Sequence, residues 1–565
     1  MRRLSGENKL KKSLLFVIVF GITMFASLLQ AQDVERSRPS DWEGLVYGGR
    51  FMDRFLPLPE TGKLTSDVWG AKAVKPRYIK NGLEDDIWSY WGGNIVVDSS
   101  GKHHLFVCRW REDDPKGHMA WPKSEVVHTV SDNSIGPFKV IDVVGPGHNP
   151  EIQPLKEGGY FLYVHKFSDY FYYYADDLNG PWERREFNFD TRQRQIEDHM
   201  ANNTFAKRED GSMLMVGRGG GIWLSKSGLP PFYKISANSV YPPYEGKYED
   251  PVVWRTNIQY HLIVNDWLGR IAYYMRSKDG VNWKLDKGEA YLPGIAKHKN
   301  GKKEDWYKFE RIKVLQDKYG RAYQANFAVA DTIKKQDKGS DNHSSKNIGI
   351  PLTVGRLIEL IGNERIDKST SEIKLLVKAE SGFNPHQDIK IKSLRFGASE
   401  EVDFGRGSKV IKKEKQGDNL ILTFDGNGNG FTNKNFAAKL LGRTKKGDLL
   451  FGFTRLPWIE YNLPILSPKF PELTLNSKSL KIDIEVENFG QFNSKTAELK
   501  IEYEKNGTWH VLIEESVPPL KAYEKINLTF WGQKIQERNN TVNLRIIISH
   551  KDQEPDVLEG LVTIR

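Results

Sequence analysis

The stretch that decides the fold is a unit of four short, strand-like runs: GGNIVVD (92–98), HHLFV (103–107), EVVHTV (125–130) and FKV (138–140). Three more units of the same make-up follow, and a fifth begins at Phe309. The aromatic residues that close the first four units lie 44, 50 and 51 positions apart, and they are Phe138, Trp182, Phe232 and Trp283. Four short strands repeated at about this period are typical of the blades of a β-propeller.

These repeats predict an all-β protein built on a β-propeller that spans 33–365 as its catalytic domain. Five blades can be counted, and six or seven stay open because the stretch from 33 to about 90 is aromatic with few clear strands. A propeller directs the start of each innermost strand toward one central pocket. The residues that open the blades are therefore the first candidates for a functional site.

Two further β-sandwich-like domains are expected after the propeller. Residues 366–463 are strand-like with Gly-rich turns such as 425–430, which predicts a compact β-domain. A proline-bounded linker at 464–468 opens the last segment, 464–565. Its apolar and polar residues alternate at period two over about a hundred positions, which predicts an immunoglobulin-like β-sandwich.

The first 32 residues have the features of a secretory signal peptide. Five basic residues precede the apolar run 14–20, which is short for a membrane span and ends near small residues. A retained membrane anchor is the alternative. Removal of the signal leaves no membrane span, so we expect a periplasmic, secreted or cell-surface bacterial protein. The single cysteine, Cys108, excludes an internal disulfide and a multi-cysteine metal site, and its expected role is buried apolar filler.

The charge balance of the 565-residue chain limits the classes of partner. The formal net charge of +10 is a modest excess over a large surface, and it permits an anionic oligosaccharide or polysaccharide as substrate. Nucleic acid is not expected, because the basic residues are dispersed and no recognition motif is present. The sequence does not predict an oligomeric state.

Ionisable and amide side chains are concentrated where the five units open. Burial of such groups without partners costs several kcal/mol each, so they either pair around the axis or line a wet pocket, and the pocket is the favoured interpretation. The catalytic candidates are His128, His148, His199 and Glu249. The substrate-binding candidates are Asn94, Asn149, Asn202, Arg218, Tyr244, Asp250 and Arg311.

Three of these candidates are not at a blade opening. Arg218 ends a second strand and precedes three glycines, which let a ligand or another backbone segment approach closely, so its guanidinium could clamp a carboxylate or sulfate. Tyr244 lies near Glu249, and a tyrosine beside Arg or His can act as a base. His128 lies in the third strand of the first unit, where a packed core histidine is the common alternative.

The blade openings resemble those of the arabinanase and β-xylosidase propeller clan. In that family Asp-Pro, Ala-Pro-Asp and Glu-Gly-Pro motifs carry a base, a pKa modulator and an acid. By this resemblance, Asn149-Pro150-Glu151 corresponds to the modulator and Glu249-Asp250-Pro251 to the acid. The base position falls at Gly92-Gly93-Asn94, which has no carboxylate, so Asp85 or Asp86 would have to replace it.

The run from Trp91 to Pro150 also resembles a second group: ulvan lyases, rhamnose–glucuronate lyases and their rhamnosidase-like relatives. The resemblance covers roughly 85–360 and implies that His128 and His148 are the two histidines of that group and Arg218 its arginine. The tyrosine of the group corresponds to Asn202 or Asn203, which leaves His199 as the substitute base.

The first expectation is therefore a lyase that acts by β-elimination, or dehydration, on rhamnose- and uronate-containing glycans such as ulvan or arabinogalactan. In this hypothesis His148 and Arg218 hold the acid group, and His128 or His199 moves the proton. The alternative is an exo-acting glycoside hydrolase that uses Glu249. A non-catalytic sugar-binding propeller is the third. No cofactor is predicted, and no spacing argues for a calcium or zinc ion.

Overall fold

The computed structural model describes residues 35–565 except 66–67, 70–72, 75, 168, 341–344, 368, 478, 536–539 and 551–553, and the side chains of 66–75 are also left out. The predicted signal peptide, 1–32, lies outside the described residues. Within the described residues, no helix has the length and apolar character that a membrane span requires.

Five antiparallel sheets follow one another along the chain, and each is a blade of the propeller. Blade 1 contains the strands Trp88–Val97, His103–Arg111, Glu125–Ser131 and Lys139–Pro146. Blade 2 contains His148–Pro154, Tyr160–Lys166, Asp169–Ala175 and Glu183–Glu186. Blade 3 contains Thr204–Lys207, Met213–Val216, Ile222–Ser225 and Phe232–Lys234, with Phe189–Asp190 added in parallel to the last strand. Blade 4 contains Tyr248–Arg255, Tyr260–Asp266, Ile271–Ser277 and Lys284–Tyr291, and blade 5 contains Lys308–Gln316, Ala322–Ala330 and Ser345–Pro351.

The blades close into a ring. The first strand of each blade contacts the first strand of the next, and the first strand of blade 5 returns to that of blade 1. The count of five blades is confirmed. Before Trp88, the described residues form only the 3₁₀ helices Ser40–Trp42 and Phe51–Arg54 and the two-residue strands Leu64–Thr65, Val68–Trp69, Ala73–Val74 and Arg77–Tyr78. The sixth and seventh blades that had stayed open are therefore absent from the described part of the chain.

The N-terminal segment instead joins the three-stranded blade 5. Phe55 forms an antiparallel bridge with Leu352, and Leu83 forms one with Asn347. The backbone N–H of Leu83 donates to the carbonyl oxygen of Asn347 over 3.2 Å. Residues that precede blade 1 thus pair with the last strand of the ring, which ties its two ends together.

Each blade has a residue with left-handed backbone dihedrals where its first strand opens, and blade 1 has a second one, Gly93 (φ 86°). We call the following five residues the axial ring: Gly92 (φ 65°), Asn149 (φ 50°), Asn202 (φ 52°), Asp250 (φ 55°) and Arg311 (φ 53°). The strand register shifts at this point in blades 1, 2, 4 and 5, as it does at a β-bulge. Glycine, asparagine and aspartate tolerate this conformation best, which explains four of the five residue types.

Two pairs of sheets follow the propeller. The first pair contains Ile358–Ile361, Glu372–Val377, Asn419–Asp425 and Val410–Gln416 in one sheet and Arg395–Gly397, Ala437–Arg443 and Leu449–Arg455 in the other, with the short helices Pro385–Asp388, Ile391–Ser393 and Ser399–Val402. The second pair contains Leu466–Pro468, Leu480–Asn488, Glu472–Leu475 and Lys525–Gly532, and then Thr508–Val517, Ala497–Lys505, Thr541–Ser549 and Asp556–Thr563. Each pair encloses its own apolar core. The domain boundaries at 365/366 and 463/464 stay predictions. The strand Ile358–Ile361 belongs to the first sheet after the propeller, although it precedes the predicted boundary at 365/366.

Candidate functional site

A cavity of about 1300 Å³ lies at the end of the propeller where the blades open, and all five blades contribute to its lining. The lining residues come from two places in each blade. One is the opening of the first strand, which includes His148, Asn202 and Glu249. The other is the hairpin between the second and third strands, which returns the chain to the same end of an antiparallel sheet.

The lining divides into two parts of different chemistry. Blades 1 and 2 supply a neutral wall, which consists of Trp91, His118, Trp121, His148, His165, Phe167 and Tyr170. Blades 3 to 5 supply a charged wall, which consists of His199, Arg218, Glu249, Asp250, Lys308, Lys334 and Lys335. Trp267 and Tyr307 lie among the charged residues as aromatic surface.

The histidines of the neutral wall are uncharged. Burial, with smaller contributions from His165 and Arg311, lowers the pKa of His148 well below its ordinary value. Burial likewise lowers the pKa of His165 to about 3 and that of His118 well below its ordinary value. His148 Nδ1 lies 3.0 Å from Ser124 Oγ. The prediction that His148 and Arg218 hold an acid group stays a prediction, and a neutral imidazole would contribute to it through a hydrogen bond and not through charge.

Packing keeps this wall apolar. The ring of Trp121 lies 4.8 Å from that of His148 and 5.4 Å from that of Phe167. Cys108 is buried beneath His148, as expected for apolar filler, and burial raises the pKa of its thiol to about 12. Flat rings at the side of a deep cavity suit the apolar faces of a ligand.

Hydrogen bonds link the residues Asn149, Asn202, Asp250 and Arg311 of the axial ring to one another at the floor of the cavity. Arg311 Nη1 and Asn202 Nδ2 each donate to Asp250 Oδ1 over 3.0 Å. Asn149 Nδ2 donates to Asn202 Oδ1 over 2.6 Å. Arg311 is fully buried and does not line the cavity, so its role is to hold Asp250 rather than to contact a ligand.

Glu249 is the carboxyl group of the charged wall whose pKa is raised toward neutral pH. Burial first, and the charge of Asp250 second, raise the pKa of Glu249 to about 7, while Arg218 and Lys334 oppose the rise. Asn202 Nδ2 donates to Glu249 Oε1 over 2.7 Å, and Arg218 Nη1 lies 3.5 Å from the same oxygen. The side chain is 17% exposed, so it can reach a ligand. A carboxyl group that keeps its proton near neutral pH can act as a general acid.

A second titratable pair lies beside Glu249. His199 Nδ1 is 2.5 Å from Asp198 Oδ1, and Arg218 Nη1 donates to His199 Nε2 over 2.8 Å. This pattern places the imidazole proton on Nδ1, so Nε2 is the atom that can accept a proton. The His199 side chain is 49% exposed. Arg218 Nε also lies 3.0 Å from Asp198 Oδ2, so one guanidinium touches Asp198, His199 and Glu249.

The glycines after Arg218 accommodate the protein's own chain. A Cβ on Gly219 would lie 2.8 Å from the backbone nitrogen of Asp198, which is closer than such contacts allow. Of the two possibilities for these glycines, the close approach of another backbone segment is the one observed. This approach places Asp198 against Arg218.

A lysine-bearing hairpin of blade 5 completes the charged wall. Lys334 forms an ion pair with Glu310 and lies 4.7 Å from the ring centroid of Trp91. Lys308 Nζ donates to the carbonyl oxygen of Trp267 over 2.6 Å. Lys335 is exposed and forms no ion pair with the described residues. Sequence reasoning missed Lys334, Lys335, Trp121, Phe167 and Trp267, because Arg218 was the one candidate that it took from a second-to-third hairpin. It also missed Lys308, although this residue lies at the opening of blade 5.

Besides Arg311, three predicted site residues lie away from the cavity lining. His128 stacks on Phe106 at 4.4 Å and its Nε2 is 2.8 Å from His104 Nδ1, inside blade 1. A third strand is too far from the axis to reach the cavity, so the expectation that His128 acts there is wrong. Asn94 exchanges hydrogen bonds with the backbone of Ile152 and ties blade 1 to blade 2.

Tyr244 is the third of these residues. It packs against Trp42 and Tyr273, and burial raises the pKa of its hydroxyl, which is the wrong direction for a base. Asp85, the suggested substitute base, accepts hydrogen bonds from the backbone N–H groups of Ile87 and Trp88 and does not line the cavity. In the part of the chain that the structure describes, no cluster of three or more His, Cys, Asp or Glu side chains is arranged to hold a metal ion.

Comparison with known proteins gave the following findings. No protein-family model and no curated protein matches the chain. Among solved structures, the catalytic domain of a GH62 α-L-arabinofuranosidase from Coprinopsis cinerea aligns with 13% identity over 52% of this chain and 98% of its own, at a TM-score of 0.36. An exo-β-1,3-galactanase from Clostridium thermocellum aligns with 12% identity over 67% and 91%, at a TM-score of 0.33. The GH43 protein BlXynB from Bacillus licheniformis aligns with 8% identity over 84% and 89%, at a TM-score of 0.31.

The first is described as a GH62 α-L-arabinofuranosidase, the second as an exo-β-1,3-galactanase and the third as a GH43 protein, and none as a lyase. All three TM-scores are below 0.5. The propeller assignment for this chain therefore depends on its own sheet order and ring closure.

Proposed function

We propose that this chain is a carbohydrate-active enzyme that hydrolyses a glycosidic bond, with Glu249 as the general acid. The observation that carries the proposal is a carboxyl group with a pKa of about 7 at the side of a large axial cavity. The preference differs from the first expectation from sequence, in which His148 and Arg218 hold the acid group and His128 or His199 moves the proton. Of these residues, His128 lies outside the cavity lining and His148 is uncharged in it.

The base is assigned to the pair formed by Asp198 and His199. Blade 1 opens with Trp91 and Gly92, so no carboxylate is present at the position where the arabinanase clan carries its base. In the proposed reaction Arg218 releases its hydrogen bond to His199 Nε2, which then takes a proton from water, with Asp198 stabilising the imidazolium that forms. The water oxygen bonds to the anomeric carbon, the glycosidic C–O bond breaks, and Glu249 gives its proton to the leaving oxygen.

We further propose that the substrate carries an acid group. Lys335 has no acidic partner among the described residues, and protonation of Glu249 leaves Arg218 with Asp198 as its remaining anionic neighbour. The charged wall then carries an excess of positive charge, which attracts a uronate or sulfate group. The aromatic rings of Trp121 and Phe167 would cover the apolar faces of the sugar rings.

Product analysis in ¹⁸O-labelled water tests the proposal. Acidic oligosaccharides from ulvan and arabinogalactan serve as substrates for the wild type, Glu249→Gln and the control Glu245→Gln, whose exposed carboxylate is 92% accessible. Hydrolysis predicts a new reducing end that contains ¹⁸O, with activity lost only in Glu249→Gln. Binding of these sugars without turnover by the wild type would indicate a sugar-binding module and contradict the proposal.

A second candidate, β-elimination, is favoured by one observation. Arg218 lies 2.8 Å from His199 Nε2, so a cation that could neutralise a uronate carboxylate is next to a base that could take the neighbouring C–H proton. In that reaction the base removes the proton, a C=C bond forms and the C–O bond to the leaving sugar breaks without water. The product would contain no ¹⁸O, would be one water lighter than the hydrolysis product and would absorb in the ultraviolet.

A further inference from the structure

A second cavity, of about 90 Å³, lies at the opposite end of the propeller from the axial cavity. Its lining includes the first-to-second hairpins of blades 4 and 5, at Thr256–Ile258 and Tyr319–Ala322. The 3₁₀ helix Phe51–Arg54 and the strand Leu449–Arg455 of the following domain provide further walls. Four parts of the chain that are distant in sequence therefore meet around it.

Arg54 faces this cavity as a buried cation without a carboxylate partner. The residue is 8% exposed, and its guanidinium carbon lies 4.5 Å from the ring centroid of Phe51 and 4.4 Å from that of Phe451. Its polar neighbour is the hydroxyl of Tyr274, which contacts His261 Nδ1 over 2.6 Å. None of the described residues forms an ion pair with Arg54. A buried charge of this kind costs several kcal/mol unless an opposite charge compensates it.

Arg356 adds a second, partly buried cation to the same cavity. Its guanidinium carbon lies 4.0 Å from the ring centroid of Phe383, and it too forms no ion pair with the described residues. Arg321, also in the lining, is already paired with Asp317 and Glu380 at 2.8 and 2.6 Å. The lining contains no carboxylate, and the charge of Glu380, which acts on both Arg321 and Arg356, offsets only part of the positive charge around the cavity.

We propose that this cavity binds one small oxyanion, a carboxylate or a sulfate, between Arg54 and Arg356. Guanidinium groups bind planar carboxylates and tetrahedral oxyanions through paired N–H donors. A volume of about 90 Å³ admits such a group with a few waters, because one water needs roughly 10–15 Å³ of this kind of space. The bound anion would connect the N-terminal 3₁₀ helix, the propeller and the following β-domain. The proposal does not depend on the chemistry of the axial cavity.

Equilibrium dialysis at constant ionic strength, with chloride as the balancing salt, tests the proposal. The probes are ³⁵S-sulfate and ¹⁴C-acetate, and the proteins are the wild type, Arg54→Met, Arg356→Gln and the control Lys335→Gln in the axial cavity. We expect one saturable site per chain whose affinity is unchanged in Lys335→Gln and weakened about tenfold or more in the other two variants, whereas any binding at the charged wall is weakened only in Lys335→Gln. Arg54→Met keeps an apolar side chain between the two phenylalanines. If Arg54→Met does not fold, Arg356→Gln alone serves as the test of the anion site.

The two probes distinguish the sources of the oxyanion. Tighter binding of sulfate assigns a sulfate site, and tighter binding of acetate assigns a carboxylate site. Absence of saturable binding of either anion to the wild type would overturn the proposal. So would unchanged affinity in Arg356→Gln, or loss of the site in Lys335→Gln, because the anion would then be bound elsewhere.

Discussion

The neutral wall and the charged wall face the same cavity, yet burial has opposite chemical consequences in them. In the neutral wall it removes charge, because His118, His148 and His165 are neutral when their pKa values are lowered. In the charged wall burial favours the protonated form of Glu249, because it raises the pKa of this carboxyl group to about 7. Desolvation favours the uncharged form in both cases, so a histidine loses its proton and a carboxyl group keeps it. The comparison assigns ligand packing to blades 1 and 2 and proton transfer to blades 3 to 5.

The largest expected effect is that of Glu249→Gln. The glutamine amide has the shape of the glutamate side chain and can still hydrogen-bond to Asn202, but it cannot give up a proton. We expect kcat to fall by about 10²–10⁴-fold, as for the loss of a general acid, in initial-rate assays on the substrate found by the product analysis. The wild-type rate should also fall as pH rises through about 7, because the active form of Glu249 is the protonated one. A variant within tenfold of the wild type would show that the proton comes from another group.

Trp121→Ala is expected to act on binding rather than on chemistry. The change removes the ring that packs on His148 and Phe167 and exposes the neutral wall. Loss of an aromatic contact of this size predicts a KM about 10-fold higher with kcat within a few-fold. Trp121→Phe, which keeps part of the ring, serves as the matched control. A fall in kcat at unchanged KM would assign a catalytic task to the neutral wall.

Lys335→Gln gives a smaller effect that depends on the charge of the substrate. The lysine has no acidic partner among the described residues, so its removal disturbs no ion pair. We expect KM for an acidic oligosaccharide to rise about 2- to 5-fold at low salt, with the difference shrinking at high salt because exposed charges are screened. An equal effect on a neutral oligosaccharide would contradict the acidic-substrate proposal.

His148→Gln is the smallest effect and the most direct test of the neutral wall. Since the imidazole is already uncharged at working pH, a neutral amide should leave the position of the pH profile unchanged, with kcat/KM within about twofold. A shift of the alkaline limb toward lower or higher pH would mean that His148 exchanges a proton during catalysis.

The sequence predicted the axial ring better than the walls above it. Asn149, Asn202, Asp250 and Arg311 occur at equivalent places in a repeat, and the period of the strands brings equivalent places to one axis. His128 was misassigned because a third strand has the same alternation as an inner strand, and only the sheet order shows its distance from the axis. Asp198 was missed although it precedes His199, since its role depends on Gly219 bringing two chain segments together.

The hairpins that carry Trp121 and Lys334 have no common sequence pattern. What they share is topology: the turn after a second strand lies at the same end as the start of the first. That rule could have been applied once the strands were assigned. The ion pairs and the raised pKa values could not be predicted in this way, because they depend on distances between residues far apart in sequence. Arg311 and Asp250 are 61 positions apart, and Lys313 and Glu151 are 162 positions apart.

The central claim is that Glu249 carries a proton near neutral pH, and its titration can be measured directly. Infrared difference spectra of the wild type against Glu249→Gln, recorded between pH 4 and 9, isolate the carboxyl signal of this one side chain. The account predicts a protonated carboxyl band that disappears with an apparent pKa of about 7. A band lost near the ordinary glutamate pKa of about 4.3 would contradict the account, because Glu249 would then be an anion at neutral pH and could not serve as the acid.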